Sequence, residues 1–281
     1  MAPSKPLQFD QIGYWSEIKL DIVRKYASAY SRILAAQKAP PLEHVYVDAF
    51  AGPGVHISRQ TGDFVPGSPL NALLVKPPFR EYHFIDIDGK KVALLRKLTA
   101  KYQNVYVYEG DSNAILLEQV FPKIRYEDYR RGLCLLDPYG LHLDWKVVQT
   151  AGQMRSIDIF INFPVVDMNR NVLWQNPEGV DEANLKRMDR FWGDNSWQKV
   201  AYKSQPGLFG QIVEKEPTET VAEAYRKRLQ TVAGFQYVPK PIPMRNSKGA
   251  VVYYLFFASQ KPVAAYIITE IFNDYRDRRA N

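Results

Sequence analysis

The sequence predicts an α/β protein in which a mostly parallel sheet carries helices on both faces and ends in an antiparallel hairpin. Short apolar runs alternate with amphipathic helical patterns five times between residues 45 and 162. Two β-type runs then return at 235–242 and 250–258, joined by Asn246-Ser247-Lys248-Gly249, a typical hairpin turn. At 281 residues the chain suits a single domain, 1–281, with residues 165–234 as a helical insertion before the hairpin.

The first strand and the turn after it, residues 45–54, read Val-Tyr-Val-Asp-Ala-Phe-Ala-Gly-Pro-Gly. Glycines at the carboxyl end of a parallel strand let the backbone approach a ligand with no Cβ in the way. We therefore predict that this turn binds a nucleotide-type cofactor; a purely structural turn is the alternative. The predicted cofactor-binding residues here are Asp48, Phe50, Ala51, Gly52 and Gly54.

The segments flanking this turn carry helical patterns. Residues 14–37 have apolar positions at spacings of three and four, which predicts an amphipathic helix beside the sheet or, as the alternative, one with a basic face on substrate. Residues 55–67 show no period and are predicted to be a loop, either a lid over the pocket or a disordered excursion. Ser68 is predicted to cap the next helix, with Pro69 in its first turn.

Acidic residues follow the second and third strands. The run 81–86 ends in Asp86, which is placed to accept hydrogen bonds from both ribose hydroxyls of a nucleoside cofactor, with Ile87 beside it and Asp88 as the reserve. The run 105–108 leads to Asp111 and Ser112, where Asp111 would cap the helix predicted around 112–121.

The fourth and fifth strands end in polar residues suited to chemistry. The apolar run 132–136 is typical of a strand buried on both faces, and it leads to Asp137-Pro138-Tyr139-Gly140. The run 157–162 leads to Asn162-Phe163-Pro164. We predict that Asp137, Pro138, Tyr139 and Asn162 are catalytic and that Phe163 contacts the substrate. A tight turn in which the aspartate caps the backbone is the alternative for the first of these motifs.

The charge of the chain favours an anionic partner. The net charge is +7 with an isoelectric point near 9.2, which suits nucleic acid or, equally, a moderately basic enzyme. Basic residues interleave with aromatic ones at 170–174 and 186–192 in the predicted insertion, where they could follow a phosphate backbone while rings stack on bases. The predicted substrate-binding residues are Arg170, Lys186, Arg187 and Arg190; a charge-laced helix face with a buried tryptophan is the alternative.

Several classes of protein are disfavoured. A single cysteine precludes an internal disulfide, and four scattered histidines have no metal-ligand spacing, so we expect no metal site. The phosphate loop Gly-x-x-x-x-Gly-Lys and the dinucleotide motif Gly-x-Gly-x-x-Gly are missing, which argues against an NTPase and an oxidoreductase. Without an apolar run of about eighteen residues or an apolar signal core, we expect a soluble, cytoplasmic protein with no membrane contact.

Taken in order, these motifs resemble the three-Cys-motif partner (TcmP) family, which is similar to class I S-adenosylmethionine (SAM) methyltransferases. The resemblance covers most of residues 14–260. It implies a Rossmann-like fold, SAM as cofactor, and Asp111 as acceptor for the exocyclic amine of adenine. The family is named for a genomic neighbour, a three-Cys-motif protein resembling radical-SAM enzymes, which implies that protein as a partner. The motifs are Asp48-Ala-Phe-Ala-Gly52-Pro-Gly54, Gly67-Ser68-Pro69-Leu70, Phe84-Ile-Asp86, Gly110-Asp111, Leu136-Asp137-Pro138-Tyr139-Gly140 and Asn162-Phe163-Pro164.

The motif Asp137-Pro138-Tyr139 resembles the Asp-Pro-Pro-Tyr signature of amino-group methyltransferases. In that signature the acid and a backbone carbonyl accept hydrogen bonds from the target amine, and the aromatic ring stacks on a flipped base. This chain has one proline fewer, which shifts the aromatic by one position. We therefore expect a SAM-dependent methyltransferase that modifies an amine or ring nitrogen of nucleic acid. The alternative is a non-catalytic nucleic-acid-binding or complex-forming module with a degenerate methyltransferase fold.

Overall fold

The computed structural model describes residues 10–207, 210–246 and 248–276, and its centre is one large sheet. The strands in chain order are β1 (Gln11–Ile12), β2 (Glu43–Asp48), β3 (Val55–Ser58), β4 (Phe64–Pro66), β5 (Glu81–Asp86), β6 (Val105–Glu109), β7 (Arg130–Leu136), β8 (Ile157–Phe163), β9 (Tyr202–Gly207), β10 (Gly210–Lys215), β11 (Ile242–Arg245) and β12 (Val251–Ala258). Seven of them form the sheet in the order β11-β12-β8-β7-β2-β5-β6. The strands from β8 to β6 pair in parallel, whereas β12 is antiparallel to β8 and β11. The sheet thus has the predicted composition.

Helices cover both faces of this sheet. In chain order they are α1 (Tyr14–Ala35), α2 (Ser68–Leu73), α3 (Gly89–Thr99), α4 (Ser112–Ile115), α5 (Trp145–Met154), α6 (Val165–Asn171), α7 (Glu182–Trp192), α8 (Trp197–Ala201), α9 (Thr218–Thr231) and α10 (Pro262–Arg276), and a π-helical turn, Leu116–Val120, continues α4.

Two apolar clusters form the core, one on each face of the sheet. One contains buried side chains of α4 to α9, and the other contains those of α1, α2, α3 and α10. Along β2, Val45 and Val47 belong to the first cluster and Tyr46 to the second, because successive side chains of a strand point to opposite faces. Burial on both faces explains the nearly continuous apolar runs of the parallel strands.

Two predicted segments differ from the structure. The stretch 55–67 is not a loop, because β3 pairs with β4 antiparallel and with β1 in parallel, giving a small second sheet beside the glycine turn. The first strand of the closing hairpin is β11 at Ile242–Arg245, whereas 235–242 was the predicted range. Phe235 and Val238 are buried, so their apolar character reflects packing beside the sheet. Ser247 of the predicted turn lies outside the described residues.

Two smaller details also differ. Gly67 occupies the N-cap of α2, and Ser68 is the first residue of the helix; Pro69 lies in its first turn as predicted. The segment predicted as a helical insertion, residues 165–234, contains α6 to α9 and also the antiparallel pair β9–β10. Among the described residues, none of the helices has the length and hydropathy needed to cross a bilayer.

Candidate functional site

The candidate site lies at the carboxyl ends of β2, β7 and β8, which are neighbours in the sheet. A cavity of about 510 Å³ opens there. Ligands of open α/β sheets bind in this position, outside the carboxyl ends of the strands. The cavity brings together residues that the sequence places in four separate segments: Phe50, Ala51, Gly52, Asp137, Pro138, Tyr139, Asn162 and Arg170.

Asp137 follows β7 and is held on both oxygens. Lys19 Nζ from α1 donates to Asp137 Oδ2, and Asn162 Nδ2 at the end of β8 donates to Oδ1 at 2.8 Å. The Lys19 side chain is buried, with 11% of it exposed. Burial by itself would lower the pKa of Lys19, but the charges of Asp137, Tyr253 and Asp48, together with the hydrogen bond to Asp137, raise this pKa above the usual range. Lys19 therefore stays charged and neutralises Asp137 inside the cavity wall.

Asp48 ends β2 and is fully buried, with none of its surface exposed. Burial raises the pKa of Asp48 to about 7; the nearby Ser68 side chain opposes this shift, and the charge of Asp137 adds to it. The backbone N–H of Phe50 donates to Asp48 Oδ1 at 3.4 Å, and Oδ2 has no partner in the described structure. Such a carboxyl group can change its protonation state near neutral pH.

A hydrogen bond joins the glycine turn after β2 to β5, the neighbouring strand of the sheet. Gly52 N donates to Asp86 Oδ2 at 2.8 Å, and Asp88 N donates to Asp86 Oδ1 at 2.8 Å. Gly52 and Gly54 have φ values of +64° and +82°, which favour glycine. A Cβ on Gly54 would lie 2.9 Å from Leu95 Cδ1 of α3, so this turn also packs too closely for a side chain.

The other predicted cofactor residues lie along the same edge of the sheet, after β5 and β6, but do not line the cavity. Asp111 caps α4 by accepting from Asn113 N at 3.1 Å, and Ser112 Oγ donates to Ala49 O. The Ile87 side chain is accessible to a ligand, because 76% of that residue is exposed to solvent. Asp88, the reserve for Asp86, caps α3 by accepting from Lys90 N at 2.9 Å.

Tyr139 stands at the mouth of the cavity and is 69% exposed. Lys91 Nζ donates to the Tyr139 hydroxyl at 3.1 Å and pairs with Asp10 at 2.8 Å. Both partners also line the cavity. Lys91, at the start of α3, therefore holds this tyrosine, and Asp10 in turn holds Lys91.

The predicted substrate-binding residues do not all reach the cavity. Phe163 is completely buried and packs against Phe191, Tyr225 and Phe256, so its ring belongs to the core. On α7, Lys186 pairs with Glu182, Arg187 with Asp167 and Arg190 with Asp144, and the three basic residues lie outside the cavity wall. Arg170 of α6 lines the cavity and makes no side-chain hydrogen bond or ion pair within the described residues.

The sequence prediction did not include Lys19, although a signal for it is present. Lys19 lies four positions after Trp15 and three before Ile22, so the helical period places it on the apolar face of α1. A lysine in such a stripe indicates a buried anionic partner. Lys91 and Asp10 carry no comparable signal, because the contacts of Lys91 with Tyr139 and with Asp10 join distant segments.

No protein-family model and no curated protein sequence matches the chain. Solved structures do resemble it. Protein LPL1258 from Legionella pneumophila, of the DUF519 family, has a TM-score of 0.52 at 11% identity and covers 92% of each chain. The N-terminal domain of EvdMO1 with SAH bound has a TM-score of 0.42 at 12% identity, covering 85% of this chain and 81% of that one. The methyltransferase domain of bacterial CtHen1 has a TM-score of 0.39 at 10% identity, covering 85% and 99%.

At these identities the likeness concerns the fold alone. The similarity to the Legionella protein runs over nearly the whole of both chains, and the sheet has the parallel order with a closing antiparallel hairpin. The predicted α/β fold, a mostly parallel sheet with helices on both faces and a closing antiparallel hairpin, is thereby confirmed.

Proposed function

We propose that the protein is a SAM-dependent methyltransferase that modifies an amine or ring nitrogen of nucleic acid. The observation that carries the proposal is the position of Asp137. It follows the central strand β7, lines the cavity, and is fixed between Lys19 and Asn162 one strand away from the glycine turn. A carboxylate fixed in this way can orient a substrate N–H before transfer.

The residues around the cavity suit the cofactor. Asp48 Oδ2 and Asn162 Oδ1 are buried acceptors without a partner among the described residues, and the glycine turn offers backbone without Cβ atoms. Gly52 and Gly54 would contact the amino-acid part of SAM. Each oxygen of Asp86 accepts one backbone N–H and has a lone pair left for the ribose hydroxyls of SAM. When bound, SAM supplies an electrophilic methyl group. Ile87 and Asp111 would flank the adenine.

Asp137 and its neighbours would act on the acceptor. In the proposed reaction Asp137 accepts a hydrogen bond from the substrate N–H and thereby aims the nitrogen lone pair, with the Pro138 carbonyl as a second acceptor. The positive charge of Lys19 offsets the charge of Asp137, which favours an uncharged nitrogen over an ammonium group as the acceptor. Asn162 fixes the second oxygen of Asp137 at 2.8 Å.

Charge and aromatic groups support nucleic acid as the substrate. The chain has a net charge of +7. Arg170 lines the cavity, and Trp174, 40% exposed, donates its indole N–H to Arg170 O at 2.8 Å, so the two lie next to each other. Proteins that bind single-stranded nucleic acid commonly place an arginine, which contacts phosphate, beside an exposed aromatic ring, which stacks on a base. Membership of the TcmP family, and with it a radical-SAM-like partner protein, is part of this proposal and rests on the motifs.

One observation favours a second candidate, a nucleic-acid-binding or complex-forming module without catalysis. Both Asp137 oxygens already accept hydrogen bonds from Lys19 and Asn162, so the same contacts could serve stability alone. The two candidates differ in whether labelled methyl groups ever leave the cofactor.

The experiment has two stages. Calorimetry first compares SAM binding by the wild type and by Asp86→Ala, and no binding by the wild type would refute the methyltransferase. Labelled SAM is then incubated with DNA, tRNA, rRNA and a protein extract. We expect label in one nucleic-acid fraction that Asp137→Ala abolishes. Binding without any label favours the module, and label in protein alone refutes the nucleic-acid substrate.

A further inference from the structure

The loop after β7, residues 137–144, is held at two points beyond Asp137 itself. At the first point, Leu141 N donates to Asp167 Oδ2 of α6 at 3.0 Å. At the second, Asn113 Nδ2 donates to His142 O at 2.9 Å and Asn113 Oδ1 accepts from Asp144 N at 2.8 Å. The loop is therefore fixed through its backbone at residues 141–144, directly after Asp137, Pro138 and Tyr139.

Two arginines of α7 bind the side chains of Asp167, at the first point, and of Asp144, at the second. Arg187 Nη2 donates to Asp167 Oδ2 at 3.0 Å, and Arg190 Nη2 donates to Asp144 Oδ2 at 2.9 Å. The two arginines are three positions apart, so they lie on one face of α7. Arg187 Nη1 also donates to Asn184 Oδ1 at 2.8 Å, which fixes the guanidinium to its own helix.

The loop passes Asp167 at close range. Gly140 has a φ of +135°, and a Cβ at this position would lie 2.8 Å from Asp167 Oδ2. A movement of this carboxylate therefore changes the space available to the backbone next to Tyr139. Charge-assisted hydrogen bonds from arginine are stronger than neutral ones, and they restrict such movement.

We propose that Arg187 and Arg190 are positioning residues, which together with Asp167 and Asp144 clamp the loop 137–144 onto α7. This differs from the phosphate-binding role that the sequence predicts for them, because binding a phosphate would require each arginine to leave its carboxylate. The consequence for catalysis rests on the proposed function. The clamp itself does not.

Hydrogen exchange followed by mass spectrometry tests the clamp without any turnover. In the full-length protein, Arg187→Met should raise exchange of the amides in peptides covering residues 138–143 about tenfold, because it removes the charged partner of Asp167 Oδ2 and leaves Asn171, which donates to Oδ1 at 2.6 Å, as the remaining side-chain donor to this carboxylate. Arg187→Lys, which keeps a charge at this position, should restore much of the protection. Glu182→Gln is the matched control, since it breaks an exposed ion pair with Lys186 on the same helix.

The outcomes separate the two proposals. Unchanged exchange at 138–143 in Arg187→Met overturns the clamp, and so does an increase spread evenly over the protein or equally large in Glu182→Gln. If the protein transfers methyl groups, kcat should fall in Arg187→Met while the KM for SAM stays near the wild-type value. A loosened loop in a protein that transfers no methyl group leaves the clamp standing and refutes only the enzyme.

Discussion

Lys19 on α1 donates a hydrogen bond to Asp137 after β7, across 118 positions of sequence. The pair joins the first helix to the strand end where the proposed chemistry takes place. A buried ion pair gives little net stability, because desolvation of the two charges offsets much of their attraction. Its effect here is to fix the position of the Asp137 side chain at the cavity.

We expect Lys19→Met to lower the rate of methyl transfer by about 10²-fold, as loss of a positioned group at a reacting centre commonly does. SAM affinity should change little, because Lys19 does not belong to the glycine turn. Single-turnover kinetics with labelled SAM measure the first quantity and calorimetry the second. Lys25→Met is the control, since this lysine of α1 lies 3.7 Å from Asp21, outside the cavity wall. A rate equal to that of Lys25→Met would contradict the role of Lys19.

Two glycines with similar backbone conformations allow the energetic cost of a side chain in the glycine turn to be measured. Gly54→Ala and Gly62→Ala both place a side chain at positive φ, +82° and +76°, but only Gly54 has a neighbour within 4 Å of the added Cβ. Gly54→Ala should therefore lower the free energy of unfolding by about 1–3 kcal/mol more than Gly62→Ala. Urea denaturation measures both. Equal losses would show that Leu95 moves away without cost.

Asp48 gives a pH dependence of stability that Asp48→Asn should remove. Because its folded pKa, about 7, is above the ordinary value of 3.8, the folded state binds the proton more tightly than the unfolded state. The resulting contribution of Asp48 to the free energy of unfolding is fully present below about pH 4 and is lost as the pH rises to about 7. Its full size is on the order of 4 kcal/mol. Relative to the wild type, Asp48→Asn should gain stability over that range in urea denaturation. A difference independent of pH would mean that Asp48 stays ionised.

Arg170 should contribute one phosphate contact if the substrate is nucleic acid. Arg170→Gln should weaken binding of a single-stranded oligonucleotide and reduce the slope of log K against log salt by about 1. Fluorescence anisotropy at several salt concentrations measures this slope. Lys38→Gln is the comparison, because Lys38 is exposed and precedes β2 at the opposite end of the sheet. The same slope for both variants would remove Arg170 from the binding surface.

The ring of Tyr139, rather than its hydroxyl, should matter for the substrate. Tyr139→Phe keeps the ring and loses only the hydrogen bond from Lys91, so KM for the nucleic acid should stay within about threefold, whereas Tyr139→Ala should raise it about tenfold through lost stacking. Steady-state kinetics compare the two. If both variants have the same KM, the ring does not stack on a base. The one-residue shift of the aromatic relative to the Asp-Pro-Pro-Tyr signature would then explain the result.

Most regular elements could be predicted because their periodicity is local. The helical pattern at 14–37 corresponds to α1 at Tyr14–Ala35, and the runs 81–86 and 157–162 correspond to β5 and β8. The small sheet of β1, β3 and β4 was not predictable, since its strands are short and β1 pairs with a segment more than forty residues away. The start of β11 was misplaced because buried Phe235 and Val238 resemble strand residues without lying in the sheet.

The sequence by itself determined the fold class and the edge of the sheet where the candidate site lies, because alternating apolar runs, helical periods and residues after strand ends are all local features. It also indicated Asp48, Gly52, Asp86, Asp137 and Asn162. Only the tertiary structure decided which charges meet. Lys19 with Asp137, Lys91 with Tyr139, and the arginines of α7 with Asp167 and Asp144 are pairs between distant segments, and no local pattern specifies such partners.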